Sequence, residues 1–239
     1  MKNSISRESP RTKTRRSVKR VGLFGGPFDP IHLGHLQAAK EVLKGFFLDT
    51  ILFIPSFLPP HKQISALAGI HDRLEMIRLA ISRHPRFSYS DIEIRRTGYS
   101  YTIDTVNALI ETSPQEIRFY LIIGHDAFLE IHTWKSYKKL FQILPLILLI
   151  RPGRINLNSR QARKTIGTYL RRRISPRYRF SSIQSGFFHP DQHPVYLFNH
   201  HLLDISSTSI RNRIKHGESI RSLVPREVMK WISQKGLYR

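Results

Sequence analysis

The chain has 239 residues, of which 40% are hydrophobic, and this is enough to bury one sizeable core. It has no cysteine, which excludes disulfide bonds and thiolate metal sites and is typical of the reducing cytoplasm, where we expect the protein. Its formal net charge is +22. The longest apolar run, residues 143–150, is too short to cross a bilayer. No apolar segment typical of a secretory signal follows the basic N-terminus.

Two segments make the chain basic. Residues 1–20 hold eight Lys or Arg and one Glu, and residues 151–180 hold ten Lys or Arg and no acidic residue. Together they carry 17 of the 22 net positive charges. Residues 1–17 show no apolar periodicity, which predicts a disordered basic arm. We expect residues 18–239 to form a single domain that contains a basic, variable segment around residues 151–190.

Apolar periodicity predicts the following elements in chain order. The predicted strands are residues 18–26, 50–56, 87–96, 116–124, 144–153 and 195–203. The predicted helices are residues 32–48, 71–84, 101–113, 125–131, 207–217 and 226–236. This alternation predicts an α/β fold with a doubly wound, mostly parallel sheet covered on both faces. Ligands of such sheets bind at the carboxyl ends of the strands.

The stretch GGPFDPIHLGH, from Gly25 to His35, joins the first strand to the first helix. His32 and His35 are three residues apart and therefore share one face of the first helical turn. A helix N-terminus attracts anions, so two imidazole donors at this place favour phosphate binding. Capping or surface histidines are the simpler interpretation of an isolated His-x-x-His, and a zinc site lacks an obvious third ligand nearby.

This stretch resembles the (His/Thr)-x-Gly-His signature of the nucleotidylyltransferase superfamily. About 170 residues later, SSTSIR places Ser206 and Arg211 at the spacing of the superfamily's second signature, Ser-x-x-x-x-Arg. Further segments are similar, in the same order, to bacterial nicotinate-nucleotide adenylyltransferases: PPHK, DRLEMIRLAI, SYTIDT, IIGHDAF, HTWK, RPG and GLY. The resemblance spans residues 18–238. It implies a Rossmann-like nucleotidylyltransferase fold and an enzyme of NAD biosynthesis that joins nicotinate mononucleotide to ATP and releases pyrophosphate.

The resemblance also implies the site for ATP. His32 and His35 would contact the phosphates, with His35 near the reacting phosphorus, and Arg211 would grip the leaving pyrophosphate. These three residues are the expected catalytic groups. Mg²⁺ would bridge ATP oxygens, largely without protein carboxylates, and no protein metal site is expected. The ATP-binding set is Gly25, Gly26, Phe28, His32, His35, Ser206, Ser207, Thr208 and Arg211.

For the mononucleotide, the resemblance implies that Trp134 stacks on the pyridine ring, although tryptophan is more often a core residue. Thr102 and the backbone at Trp134 and Lys135 would hold the pyridine carboxylate, and Asp126 would bind a ribose. The expected set is Ser56, Lys62, Thr102, Asp126, Trp134 and Lys135. Lys62 would assist the phosphates or would simply be solvated.

Two positions depart from the family pattern. Pro27 stands where relatives commonly have Ser or Thr, so a hydroxyl and an N–H are missing there. Ser56 stands where Asn is often found, which leaves its contact with the mononucleotide open. The segment HPDQH, residues 189–193, is interpreted as a plain loop rather than a metal site.

Three alternatives remain open at this stage. A sibling enzyme would use nicotinamide mononucleotide or another phosphate acceptor. A basic nucleic-acid-binding protein could retain the fold, and its binding would weaken steeply with salt. The basic residues 151–180 form either a solvated helix and loop or a surface that steers anions. We expect no membrane partner and no specific nucleic acid, with non-specific binding through the basic arm as a side effect of charge. The oligomeric state is not predicted.

Overall fold

The computed structural model describes residues 18–57, 67–96, 98–150, 159–199, 203 and 205–239. The predicted basic arm, the segment PPHK with Lys62, and the segment RPG therefore lie outside the described residues. The strands are β1 (Lys19–Gly26), β2 (Thr50–Pro55), β3 (Phe87–Tyr89), β4 (Ile117–Gly124), β5 (Leu146–Ile150), β6 (Arg179–Ser181), β7 (Gly186–Phe188) and β8 (Val195–Asn199). The helices are α1 (Leu33–Gly45), α2 (Ile70–Ile81), α3 (Ile92–Arg95), α4 (Thr102–Thr112), α5 (His125–Leu129), α6 (Tyr137–Ile143), α7 (Ser159–Tyr169), α8 (Ser207–Lys215) and α9 (Arg226–Lys235).

Within the described residues, the strands form one sheet in the order β3-β2-β1-β4-β5-β8-β7-β6. The strands from β3 to β8 are parallel, and β7 and β6 extend the β8 edge in antiparallel pairing. The predicted doubly wound, mostly parallel sheet is confirmed. The chain leaves β1 toward β2 on one side and later enters β4 on the other, so the strand order reverses between β1 and β4. Such a reversal opens a crevice at the carboxyl ends of the two strands.

Each face of the sheet buries its own apolar layer. Along β1, Val21 and Leu23 belong to the layer beneath α4, α6 and α7, whereas Phe24 belongs to the layer beneath α1, α2, α8 and α9. Alternation of this kind is what a pleated strand with two covered faces requires. Strand β5 is buried along its whole length. The central strands therefore form a rigid floor under the crevice.

One predicted strand is partly wrong. Of residues 87–96, only Phe87–Tyr89 pair with β2, and residues 92–95 turn into the short helix α3. Ser90 Oγ accepts a hydrogen bond from the Ile92 amide at 3.3 Å, and Arg95 pairs with Asp91 one helical turn earlier at 2.8 Å. These local bonds favour a helical turn at a sheet edge that offers only a short pairing partner.

Helix α6 and strands β6 and β7 have no counterpart in the prediction, and α7 has one only among the alternatives that the sequence leaves open. Helix α6, helix α7 and the antiparallel strands β6 and β7 all lie between residues 137 and 188. A helix within the basic segment was one of the open alternatives, and α7 fits it, followed by a π-helical turn at Leu170–Ile174. No helix in the described ranges is both long enough and apolar enough to span a bilayer.

Candidate active site

The loop that leaves β1, here called the histidine loop (Gly25–His35), forms one corner of the crevice. Phe28 has a φ of 48°, an angle that non-glycine residues seldom adopt, and its ring is only 2% exposed. That ring packs edge-to-face against Phe24 and against His35, with centroids 5.6 and 5.1 Å apart. A buried aromatic anchor thus fixes the direction in which the loop enters α1.

The two histidines form a capping box at the start of α1. The His32 ring nitrogen Nδ1 accepts a hydrogen bond from the His35 amide, and the His35 Nδ1 accepts one from the His32 amide, both at 3.3 Å. Their rings stack with centroids 3.6 Å apart. Because each Nδ1 is an acceptor, the proton of each neutral ring lies on Nε2. The capping interpretation of this pair is therefore correct, and it leaves each ring with an Nε2–H donor.

Helix α8 docks directly on the histidine loop. Ser207 Oγ donates to the Pro30 carbonyl at 2.9 Å, and Arg211 Nη1 donates to the Asp29 carbonyl at 2.8 Å. The structure thereby brings together two sequence motifs that lie about 170 residues apart. Ser206 caps the helix by accepting a hydrogen bond from the Ser209 amide at 3.1 Å. The helix N-terminus, the guanidinium and the paired imidazoles share one loop.

Two buried groups that the sequence analysis did not single out hold this arrangement from behind. Asp29 is 1% exposed, and its Oδ1 accepts hydrogen bonds from the Tyr238 hydroxyl at 2.6 Å and the Ala68 amide at 3.0 Å. Its Oδ2 lies 3.6 Å from Arg211 Nη1. Burial, together with the charge and hydrogen bond of Asp29, raises the pKa of Tyr238 well above its usual range. The chain end at Tyr238 is thus tied to the histidine loop.

Arg73 of α2 is the second such group and is 2% exposed. Its guanidinium donates to four carbonyl oxygens at 2.7–3.3 Å, those of Pro27, Ser56, Phe57 and Ala68. Burial lowers the pKa of Arg73, and the charge of Asp29 opposes this change. A signal for it exists in the sequence. Arg73 lies at helical spacing with three buried residues of α2, which are Met76, Ile77 and Ala80.

A cavity of about 330 Å³ opens at the carboxyl ends of β1 and β4. Nine of the predicted ligand-binding residues line it, four from the predicted ATP-binding set and five from the predicted mononucleotide-binding set. The predicted residues on its surface are Gly25, Gly26, Phe28, His35, Ser56, Thr102, Asp126, Trp134 and Lys135. Lys62 lies outside the described residues, and the other predicted residues, His32, Ser206, Ser207, Thr208 and Arg211, are not among those that line the cavity. Of these, His32 belongs to the histidine loop, and α8 docks on that loop.

Trp134 follows a 3-10 turn at Ile131–Thr133, and His132 of that turn bonds to α7. The Tyr169 hydroxyl contacts the His132 ring Nδ1 at 2.8 Å and accepts a hydrogen bond from the His132 amide at 3.1 Å. Burial raises the pKa of Tyr169. The basic helix α7, which the sequence predicts only as one of two alternatives, therefore supports the turn that precedes Trp134.

The opposite wall, here called the α3–α4 wall, consists of Glu93, Ser100, Tyr101, Thr102 and Thr105. Lys135, predicted beside the pyridine carboxylate, reaches this wall. Its Nζ bonds Asp104 at 2.9 Å and lies 4.9 Å from the centre of the Tyr101 ring. Lys135 thus ties the segment that carries Trp134 to α4 through an ion pair.

Asp126 lies in the first turn of α5, at the carboxyl end of β4. Gly124, two residues earlier, leaves room for this side chain, because a Cβ at that position would come within 2.5 Å of the Asp126 Oδ1 as it now lies. The carboxylate can therefore fold back over the strand end. In the described part of the chain, three or more potential metal ligands (His, Cys, Asp or Glu) nowhere come together.

Comparison with known proteins identifies the chain's relatives. Residues 23–213 match the model of the cytidylyltransferase-like family. A probable nicotinate-nucleotide adenylyltransferase from Desulfatibacillum aliphaticivorans is 41% identical over 92% of this chain and 99% of its own length. One with the same name from Desulfitobacterium hafniense strain Y51 is 40% identical over 92% of this chain and 96% of its own.

The fold has solved counterparts. A structure of Plasmodium falciparum nicotinic acid mononucleotide adenylyltransferase complexed with NaAD superposes with a TM-score of 0.69 and 20% identity, over 92% of this chain and 97% of that one. At this identity the likeness speaks for the fold. Since the family model and the relatives cover most of the chain, and both signature motifs meet at one loop, the chain belongs to the cytidylyltransferase-like family and, within it, to the nicotinate-nucleotide adenylyltransferases.

Proposed function

We propose that this protein transfers the adenylyl group of ATP to nicotinate mononucleotide, giving nicotinate adenine dinucleotide and pyrophosphate as a step of NAD biosynthesis. The relatives at 40–41% identity carry the name of this activity over nearly their whole length. The observation that carries the proposal is the docking of α8 on the histidine loop. It brings Arg211 of α8 into contact with the loop that carries the paired imidazoles of His32 and His35. Beside this loop lies a cavity large enough for a nucleotide.

In this reaction a phosphate oxygen of the mononucleotide forms a bond to the α-phosphorus of ATP. The bond from that phosphorus to the oxygen bridging the α- and β-phosphates breaks, and pyrophosphate leaves with the electron pair. Negative charge on the phosphoryl oxygens is the main obstacle, so catalysis consists of positioning and charge stabilisation. The site needs donors rather than a nucleophile, and donors are what it contains.

The Nε2–H groups of His32 and His35 act as donors to the ATP phosphates, with His35, which lines the cavity, nearest the reacting phosphorus. Arg211 binds the β- and γ-phosphates, because a guanidinium fork contacts two oxygens at fixed geometry. Ser206, Ser207 and Thr208 add hydroxyls and the free amides of the α8 N-terminus. Gly25, Gly26 and Phe28 shape the floor under the nucleotide.

The mononucleotide occupies the part of the cavity between Trp134 and the α3–α4 wall. Trp134 stacks on the pyridine ring, and Thr102 with the backbone at Lys135 holds its carboxylate. Asp126 accepts hydrogen bonds from a ribose. Lys62, outside the described residues, is a proposed phosphate contact, and Ser56 lines the same part of the cavity.

Magnesium is proposed to enter with ATP. The described residues do not form a carboxylate cage for it, since no group of three or more potential ligands lies together. Mg²⁺ keeps several waters and often binds through substrate phosphates with few protein carboxylates. The ion would then neutralise negative charge on the triphosphate.

The proposal is tested by measuring pyrophosphate release with ATP and Mg²⁺ and either nicotinate or nicotinamide mononucleotide, with the dinucleotide identified by mass. We expect turnover with the nicotinate substrate and a lower kcat/KM with the amide. A preference for the amide would assign the chain to the sibling activity. No dinucleotide from either substrate would refute the proposed function.

The exposed basic residues of α7 and the turn after it are proposed to steer anions toward the site. They are Arg160, Arg163, Lys164, Arg171, Arg172 and Arg173. The same charge, with that of residues 1–17, would give non-specific binding to nucleic acid. Deleting residues 1–17 is expected to weaken that binding, measured by its salt-dependent retention on single-stranded DNA, and to leave turnover intact. Loss of turnover would refute the assignment of residues 1–17 to nucleic-acid binding alone.

A further inference from the structure

Glu93 is a buried acidic residue for which the reaction as described has no use. Its sequence context, DIEIRR, alternates like a strand and would turn Glu93 toward solvent beside two inward isoleucines. In the structure, the short helix α3 turns Glu93 inward instead, and it is only 8% exposed. Acidic side chains are almost never buried to this degree unless they are paired.

One of the two Glu93 carboxylate oxygens is held by a chain of hydrogen bonds. Thr105 Oγ1 donates to Glu93 Oε1 at 2.7 Å, and Thr105 Oγ1 in turn accepts a hydrogen bond from Arg96 Nη2. Thr105 is itself 3% exposed, so this chain is fixed within the wall. The orientation of the carboxylate is therefore set, and its second oxygen has a defined direction.

That second oxygen, Oε2, is buried and has no hydrogen-bond partner among the described residues. A buried acceptor without a partner is costly, and such atoms are rare in folded proteins. Ser56 Oγ is in the same condition, and both residues line the same cavity. The negative charge of Glu93 also acts on Arg73, whose guanidinium donates to the Ser56 carbonyl at 2.7 Å. Glu93 and Ser56 thus belong to one region of the cavity surface.

The chemistry of the two groups selects what fills this region. A carboxylate oxygen requires a hydrogen-bond donor, and a serine hydroxyl both donates and accepts. A bound metal ion would need further ligands, and the described residues bring no third one to this place. Ionised nicotinate mononucleotide carries its hydrogen-bond donors on the ribose, as the 2′- and 3′-hydroxyls. A sugar hydroxyl therefore matches both unpartnered atoms.

We propose that Glu93 Oε2 accepts a hydrogen bond from a ribose hydroxyl of the bound mononucleotide, with the Ser56 hydroxyl as its neighbour in the same contact. This inference rests on the proposed function, because it takes the mononucleotide as the occupant of the cavity. It gives Ser56 a role that does not require the asparagine often found at that position. The helical turn of α3 places Glu93 on the surface of this cavity.

The test combines a variant with altered substrates. Glu93→Gln keeps the size of the side chain and the bond to Thr105 but replaces half of its acceptor capacity with donors. We expect it to raise the KM for nicotinate mononucleotide about tenfold or more, with the KM for ATP unchanged. Glu111→Gln, an exposed glutamate of α4, is the matched control and should leave both values unchanged.

The decisive measurement is a cycle with 2′-deoxy and 3′-deoxy nicotinate mononucleotide. With the unaltered enzyme, one of these substrates should have a kcat/KM about tenfold lower than that of nicotinate mononucleotide. With Glu93→Gln, the two kcat/KM values should be nearly equal, because the variant has already lost the contact. Additive losses for both deoxy substrates would overturn the inference. So would a Glu93→Gln variant that lowers the melting temperature without changing the mononucleotide KM, because that is the result of a purely structural role.

Two outcomes separate this inference from the proposed function. If the unaltered enzyme forms the dinucleotide and Glu93→Gln behaves like Glu111→Gln, only the inference fails. If the unaltered enzyme forms no dinucleotide, the proposed function fails and the inference fails with it. A third arm compares nicotinate with nicotinamide mononucleotide. If Glu93 faced the ring substituent instead, Glu93→Gln would shift the preference toward the acid, and that shift would also overturn the inference.

Discussion

The histidine loop and the α3–α4 wall form two sides of one cavity, but they are built in different ways. The histidine loop orients its side chains through contacts three residues apart, since His32 and His35 cap the same helix and each other. The α3–α4 wall orients Glu93 through Thr105, twelve residues away, and α4 is tied to Lys135 through Asp104, thirty-one residues from it. The first side has a short sequence signature, whereas the second depends on where separate elements meet.

The comparison also separates two tasks. Donors gather at the histidine loop, where the proposed function requires phosphate charge to be stabilised as bonds change. The wall and Trp134 offer a ring, hydroxyls and a carboxylate, which suit recognition of a mononucleotide. Substitutions in the histidine loop are therefore expected to lower kcat, whereas substitutions in the α3–α4 wall or at Trp134 are expected to raise the KM of one substrate.

His35→Ala should produce the largest effect. Loss of an imidazole donor at the reacting phosphorus is expected to lower kcat by about 10²- to 10³-fold. The lost cap should cost only about 1 kcal/mol of stability, so the protein remains folded. Pyrophosphate release and thermal unfolding measure the two effects, with His71→Ala on the exposed face of α2 as the control. Retained turnover in His35→Ala would remove this residue from the mechanism.

Arg211→Lys should follow, with a loss of about tenfold to a hundredfold in kcat/KM for ATP. Lysine keeps the charge but cannot reproduce the two-oxygen contact or the bond to the Asp29 carbonyl. Arg213→Lys, on the same helix and paired with Glu218 at 3.4 Å, is the matched control and should be neutral. Equal behaviour of the two variants would show that α8 contributes structure alone.

Trp134→Ala should raise the KM for the mononucleotide by about tenfold and leave the KM for ATP unchanged, because the ring contact belongs to one substrate. Trp134→Phe should recover most of the loss. The other tryptophan of the chain, Trp231, donates a hydrogen bond to Asp72 of α2 at 3.1 Å. Trp231→Phe is the control for replacing a tryptophan ring, and it should leave both KM values unchanged. An effect of Trp134→Ala on both substrates alike would contradict a recognition role.

Tyr238→Phe should have the smallest effect on turnover and should lower the free energy of unfolding by about 1–3 kcal/mol, since it leaves buried Asp29 with one fewer donor. The raised pKa of Tyr238 means that the unfolded chain loses this proton first as the pH rises. Its contribution to stability is therefore full below pH ~10 and declines above it.

Chemical denaturation across pH 8–11 checks this expectation. Tyr238→Phe should flatten the alkaline decline, although buried Tyr178, whose pKa is also raised by burial, retains part of it. Tyr99→Phe, at an exposed tyrosine, should leave the profile unchanged. An unaltered profile in Tyr238→Phe would show that the ionisation of Tyr238 does not cause the alkaline decline.

Much of the fold could be predicted from the sequence because it is written in local periodicity. Apolar runs gave the central strands, and the alternation of strands with helices gave the parallel sheet and the edge at which ligands bind. The histidine loop could be located for the same reason, since glycine, proline and a helix N-cap act within a few residues. Within residues 137–188, β5 was predicted, whereas α6, β6 and β7 were missed and α7 was only one of two alternatives, because short edge strands and a basic, weakly apolar helix leave little periodic signal.

By itself, the sequence determined the order of the elements, the histidine loop and the presence of a second motif near the chain end. Only the tertiary structure decided that this motif docks on the loop, and that Asp29, Arg73 and Glu93 are buried around the cavity. The reason is that burial of a charge depends on partners from other elements: Tyr238 for Asp29, four carbonyls for Arg73, and Thr105 for Glu93. No pattern along the chain encodes which distant groups will meet.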